Sequence, residues 1–121
     1  MQRRLTISII CLLIFTGSFA QEVANVATRE PVISPEIKGS EVIFRIAAPY
    51  AATVKLRGSW MTDNNSAAEM TKNEKGLWTV TVEKPSPELY TYSFIVDGLS
   101  ITDPINVFMQ RDGTRYLSVL L

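Results

Sequence analysis

Two indoles and a scatter of carboxylates are the side chains with the most chemistry to offer in this sequence. A carboxylate pair could do general acid–base work, and an exposed indole flanked by hydrogen-bonding groups could stack on a sugar ring. Glu69, Glu74, Asp63, Asp97, Asp103 and Asp112 all fall in or beside turn-forming stretches, where acidic residues serve as solvated turn formers and caps. They are read that way and not as a catalytic pair. The commoner mechanisms lack their parts. The 121 residues include no histidine and one cysteine, Cys11, which removes Ser-His-Asp and Cys-His arrangements, imidazole acid–base chemistry and the usual zinc sites. The six glycines stand singly, so there is no glycine-rich phosphate loop. No catalytic residue, metal site or cofactor is expected.

Binding is the better class to search. Trp60 stands where a strand pattern runs into an Asn-rich loop, beside Met61, Asn64 and Asn65, and these four form the candidate carbohydrate-contact group with the indole as platform. The competing reading is that Trp60 caps one end of the fold. Trp78 shares its parity with Val80 and Val82, so alternation assigns it to the core.

The elements that must position these residues are strands. Residues 41–47 alternate Val42, Phe44 and Ile46 against Ile43 and Arg45, and residues 53–59 alternate Val54 and Leu56 against Lys55 and Arg57. Residues 62–68 are turn chemistry, and Met70–Thr71 reads as a short edge segment before the turn 73–76. Trp78, Val80 and Val82 alternate with threonines over 77–83. Tyr90, Tyr92, Phe94 and Val96 alternate with Thr91, Ser93 and Ile95, which gives Ser93 an outward, exposed position. Asp97-Gly98 then signals a two-residue hairpin into 99–102. An irregular loop over 105–113 and a last strand over 115–121 complete about seven strands with no helical period between them. That pattern predicts an all-β, immunoglobulin-like antiparallel sandwich over residues 33–121.

Residues 1–20 are set aside from this domain. Arg3 and Arg4 precede an apolar run from Leu5 to Phe15, and small residues at Ser18 and Ala20 mark a cut after Ala20, the pattern of a secretory signal peptide. The run is too short to span a bilayer, so no membrane association is expected after cleavage. Residues 21–32 read as a flexible lead-in. The expected location is secreted or periplasmic, with the only cysteine removed and stability left to burial alone. Loss of Arg3 and Arg4 leaves ten basic against twelve acidic residues, a net charge of −2 with no basic stripe for nucleic acid.

Three segments carry a family likeness: VIFRIAAPYAATVKLRGSW from Val42, MTKNEKGLWTVTVE from Met70 and ELYTYSFIVDGLSITDP from Glu88. In this order the chain resembles carbohydrate-binding module family 48 and related immunoglobulin-like (E-set) domains that stand ahead of catalytic domains. The wording is most similar to modules preceding secreted α/β-hydrolase esterases that act on acylated plant polysaccharides. The resemblance implies a non-catalytic accessory module, packing on a catalytic hydrolase domain or binding a polysaccharide such as xylan or α-glucan weakly. A protein-interaction sandwich without a sugar ligand, using an exposed sheet edge or the apolar end Leu117–Leu121, is the alternative. An α-glucan-binding module of a glycoside hydrolase is the second alternative. Glycogen-binding members carry an outward lysine before the Asp-Gly turn and a tryptophan after it, where this chain has Ser93 and Ser100. Of their leucine, threonine and asparagine in the later loop, aligned with Asp112, Thr114 and Tyr116, only Thr114 is kept, and it joins the candidate carbohydrate contacts. Contacts of this kind are worth roughly 1 to 3 kcal/mol each, so losing two weakens a sugar site severely.

Overall fold

The computed structural model describes residues 31–63 and 65–121. The expected leader and its expected cut after Ala20, Cys11 and most of the expected lead-in lie outside the described residues. Within them every regular element is a strand: β1 (Glu36–Lys38), β2 (Glu41–Ala47), β3 (Val54–Gly58), β4 (Ala68–Glu69), β5 (Thr71–Lys72), β6 (Leu77–Glu83), β7 (Tyr90–Val96), β8 (Leu99–Ile101), β9 (Met109–Asp112) and β10 (Arg115–Leu120).

The strands form two antiparallel sheets of an immunoglobulin-like sandwich. One runs β1-β2-β6-β5, and the other runs β4-β3-β7-β10-β9 with β8 also paired to β7. The longest ladder joins β2 to β6, with Phe44 opposite Val80 and Ile46 opposite Trp78. In the other sheet Leu56 of β3 faces Phe94 of β7. The period-2 alternation therefore aims one set of side chains from each sheet into a shared interior. Val42, Phe44, Ile46, Val54, Leu56, Trp78, Tyr92, Phe94 and Leu120 are buried there. Full burial of each large apolar side chain contributes about 1.5–3 kcal/mol, which is how a domain without a disulfide in this region can hold together. The rings also meet at favourable geometry: Tyr92 packs edge-on to Phe44 at 4.7 Å between centroids and to Phe94 at 5.9 Å.

Trp78 takes the core place that alternation gives it, and its indole N–H donates to the Ala48 carbonyl at 2.8 Å. Asp97-Gly98 forms the expected hairpin, both residues at positive φ (47° and 85°), as a turn matched to strand twist requires. Asp97 Oδ1 also accepts the N–H groups of Ala52 and Thr53, each at 2.9 Å, which ties the β7–β8 turn to the start of β3.

Three elements differ from the sequence expectation. The short edge segment at Met70–Thr71 is instead a crossing from one sheet to the other. Ala68–Glu69 pairs with β3, Thr71–Lys72 pairs with β6, and Met70 between them is buried and donates its N–H to the Val54 carbonyl. The strand β1 is additional, paired to β2 through Ile37 opposite Val42. The loop expected over 105–113 contains β9, which pairs with β10 through a two-residue turn at Gly113-Thr114.

Candidate functional site

The outward face of the six-stranded sheet is defined by register. Arg57 of β3 lies opposite Ser93 of β7, Lys55 opposite Ile95, and Ile95 opposite Ser100 of β8, while Val119 of β10 lies opposite Thr91. These residues share the face turned away from the core partners Leu56 and Phe94. Ser93 and Ser100, distant in type from the lysine and tryptophan that the family resemblance leads one to seek, are brought together: Ser100 Oγ donates to Ser93 Oγ at 3.1 Å. The parity expected of Ser93 is found, but its exposure is not. Ser93 is only 6 % exposed, because a small side chain in a central strand lies low among longer cross-strand neighbours such as Arg57. The face is thus rich in hydrogen-bonding groups and carries no indole.

The β3–β4 connection holds the rest of the candidate group. Trp60 is half-buried, stacks on Phe44 with centroids 5.8 Å apart and planes 17° apart, and meets Tyr90 edge-on at 5.9 Å. Its ring lies directly over Gly58, where a Cβ would come within 2.3 Å of the indole, so a glycine is required there by contact alone. These contacts give Trp60 a structural role at one end of the sandwich, the competing reading of this residue, since a ring this large gains from apolar contact. Met61 is likewise half-buried and packs against the core. Asn65 is exposed, its N–H directed at Asp63 Oδ1 at 3.3 Å in a local turn, and Asn64 lies outside the described residues. Thr114 is exposed in the β9–β10 turn, on a different pair of strands.

A buried polar cluster was not read from the sequence. Asp103, expected as a solvated turn former, is 2 % exposed. Its Oδ2 accepts the hydroxyls of Ser34 at 2.7 Å and Tyr92 at 2.8 Å, its Oδ1 accepts the Ile105 N–H at 3.0 Å, and its own N–H donates to Ser118 Oγ at 2.7 Å. Asn106 extends the cluster, donating from Nδ2 to Tyr92 Oη at 3.0 Å and to the Val119 carbonyl at 2.7 Å. Each polar group is satisfied, so the cluster fixes the 103–108 loop and the lead into β1 against β7 and β10 without leaving an orphan. Burial pushes the Tyr92 hydroxyl well above the ordinary tyrosine value. The Asp103-Pro104 pair was visible as a hairpin end; nothing in its local pattern marked the aspartate as inward. At the surface, the Arg45 guanidinium bonded to Glu36 holds that carboxyl below its ordinary value. Among the described residues no three His, Cys, Asp or Glu side chains group to hold a metal.

A family model for carbohydrate-binding module 48 (isoamylase N-terminal domain) matches residues 30–108. The chain belongs to that family. It is a non-catalytic module, and the immunoglobulin-like sandwich with the outward Ser93–Ser100 pair is this member's version of it. A search of the curated proteins found no match. Among solved structures, the module is similar to a protein assigned as an alpha amylase from Salmonella typhimurium, at 26 % identity and a TM-score of 0.57, over 71 % of this chain and 14 % of that one. It is also similar to the type I pullulanase from Bacillus subtilis, solved with maltose, at 21 % identity and a TM-score of 0.60, over 77 % of this chain and 13 % of the other. A pullulanase from Bacillus acidopullulyticus matches at 23 % identity and 0.53, over 69 % and 11 %. The module spans about one seventh or less of these relatives, and the last two likenesses speak for the fold alone.

Proposed function

We propose that the module serves an α-glucan-acting glycoside hydrolase and makes weak contact with α-glucan through the outward face of the six-stranded sheet. The observation that carries this reading is the placement of Ser93 and Ser100, hydrogen-bonded side by side, with Arg57 opposite Ser93. Ser93 and Ser100 stand at positions that the family resemblance assigns to sugar contact, on one face and with hydrogen-bonding groups in place. The absence of an indole on that face argues for low affinity, a dissociation constant on the order of 1 mM, or about −4 kcal/mol. A glycoside hydrolase context is preferred to the esterase context suggested by the ordered sequence segments, supported by the isoamylase N-terminal domain family and by the amylase relative named above. Xylan becomes the comparison ligand. The leader pattern supports export, so the module would act outside the cytoplasm.

Native-gel migration of the chain in gels containing amylopectin or xylan tests this. Slight retardation by amylopectin, none by xylan, and roughly tenfold stronger retardation for Ser100→Trp are expected, since position 100 is exposed and an indole restores a stacking surface. Equal retardation by both polymers, or none by amylopectin even for Ser100→Trp, would remove the α-glucan reading.

A further inference from the structure

The sandwich guards most of its edges. β4 and β5 are two residues long, and β1 and β8 are three. Short edges offer few unpaired backbone groups, and charge on an edge discourages pairing further. Arg45 and Lys38 both bond Glu36 on β1, and Lys55 pairs with Glu69 on β4. The edge at β9 is different. All four of its residues are exposed, and it is led by Val107 (80 % exposed) and Phe108 (56 %), with Tyr116 of β10 exposed alongside.

These apolar side chains are held outward by bonds from within. Asp103 Oδ1 accepts the Ile105 N–H, Asn106 Oδ1 accepts the Phe108 N–H at 2.9 Å, and the Phe108 carbonyl accepts the Val119 N–H at 2.8 Å. The loop is therefore preorganised, which lowers the ordering cost of binding through it. In a hairpin with a two-residue turn the closing pair, here Asp112 and Arg115, is hydrogen-bonded, so the backbone groups of Arg111 and Met109 point away from β10.

We propose that β9 is a strand-addition site for an extended, carboxylate-bearing segment of the hydrolase polypeptide that the module serves, a partner that rests on the function proposed above. An unpaired edge is recognised by another extended backbone, and Phe108, on the opposite face from Arg111 by alternation, favours apolar side chains at alternate positions of the added strand. Charge selects the source. The hairpin carries Arg111 and Arg115 against one carboxylate, Asp112, which already bonds Arg115 at 3.3 Å. Arg111 donates to the Gly113 carbonyl and keeps its charge toward solvent. A second copy of this chain would bring a second net-positive hairpin to the same edge, whereas an acidic strand meets Arg111 favourably.

The test is a nuclear magnetic resonance titration of the chain with a short capped peptide alternating valine with glutamate, and with its lysine counterpart. The largest amide shifts are expected at Met109 and Arg111 with the glutamate peptide, and are lost with the lysine one. Arg111→Pro removes an outward donor while leaving the β9–β10 ladder, so it should abolish binding with the β2–β6 amides unmoved. Shifts centred on β1, β5 or β8, no shifts, equal response to both peptides, or self-association through β9 would each overturn the site. The outcome is independent of amylopectin retardation, so failure of the edge site and failure of the glucan reading are told apart.

Discussion

Asp103 and Trp60 show what alternation and turn chemistry reveal about single residues, and where they stop. Asp103 follows a hairpin strand and precedes a proline, the usual setting of an exposed turn former, yet it accepts three hydrogen bonds at the centre of the sandwich end. Its burial depends on partners 69 and 11 residues away in sequence, Ser34 and Tyr92, and no local window contains them. Asp103→Ala leaves two buried hydroxyls and an amide without their acceptor. A loss of about 3 kcal/mol in unfolding free energy is expected from urea denaturation, at an order of magnitude set by unsatisfied buried donors. Trp60 was legible as either platform or cap, and its stacking on Phe44 over Gly58 gives it a packing role. Trp60→Ala should therefore cost about 3 kcal/mol of stability in the same experiment, with or without sugar present. Unchanged stability would mean the indole is not part of the core. Ser93 teaches a narrower lesson: parity gives the direction of a side chain, and neighbour size sets its exposure.

Among the elements, β2, β3, β6, β7 and β10 were legible because each alternates apolar and polar residues long enough to show a period, and β8 because Asp97-Gly98 signals the hairpin that leads into it. β1, β4, β5 and β9 were not. Three of these have two or three residues, too few for a period, and β9 is exposed on both faces so that nothing alternates. The sheet change at Met70 was half legible, as an apolar residue in a polar stretch. What holds β1 in place is largely polar: Arg45 of β2 bonds both Glu36 and the Ile33 carbonyl, and the Arg45 N–H donates to Ser34 Oγ. Because Arg45 holds the Glu36 carboxyl below 4.5 in the folded chain, this contact adds stability above the unfolded value and loses it as pH falls through the folded one. Thermal unfolding followed downward from pH 5 should show a fall in midpoint that is reduced in Glu36→Gln. An identical acid profile for the variant would show that Glu36 does not anchor β1.

At the scale of the whole molecule, composition already set the main boundary. Without histidine, and with its one cysteine in the leader pattern, the chain lacks the parts for common catalytic centres, and membership of a non-catalytic family agrees with that reading. The fold followed from strand count and spacing. The sugar class did not, because the residues that would name it, an indole or a cation at positions 93 and 100, are serines. What the fold adds is that both serines and Arg57 share one face of one sheet, away from the groove of about 360 Å³ that Ile37, Leu89, Tyr90 and Leu121 line elsewhere. The most direct measurement is a heteronuclear titration of the chain with maltoheptaose and with a xylo-oligosaccharide. Millimolar binding of maltoheptaose, with amide shifts centred on Arg57, Ser93 and Ser100 and none from the xylo-oligosaccharide, is expected. Shifts confined to the groove or the Trp60 end, or a response to the xylo-oligosaccharide alone, would contradict it.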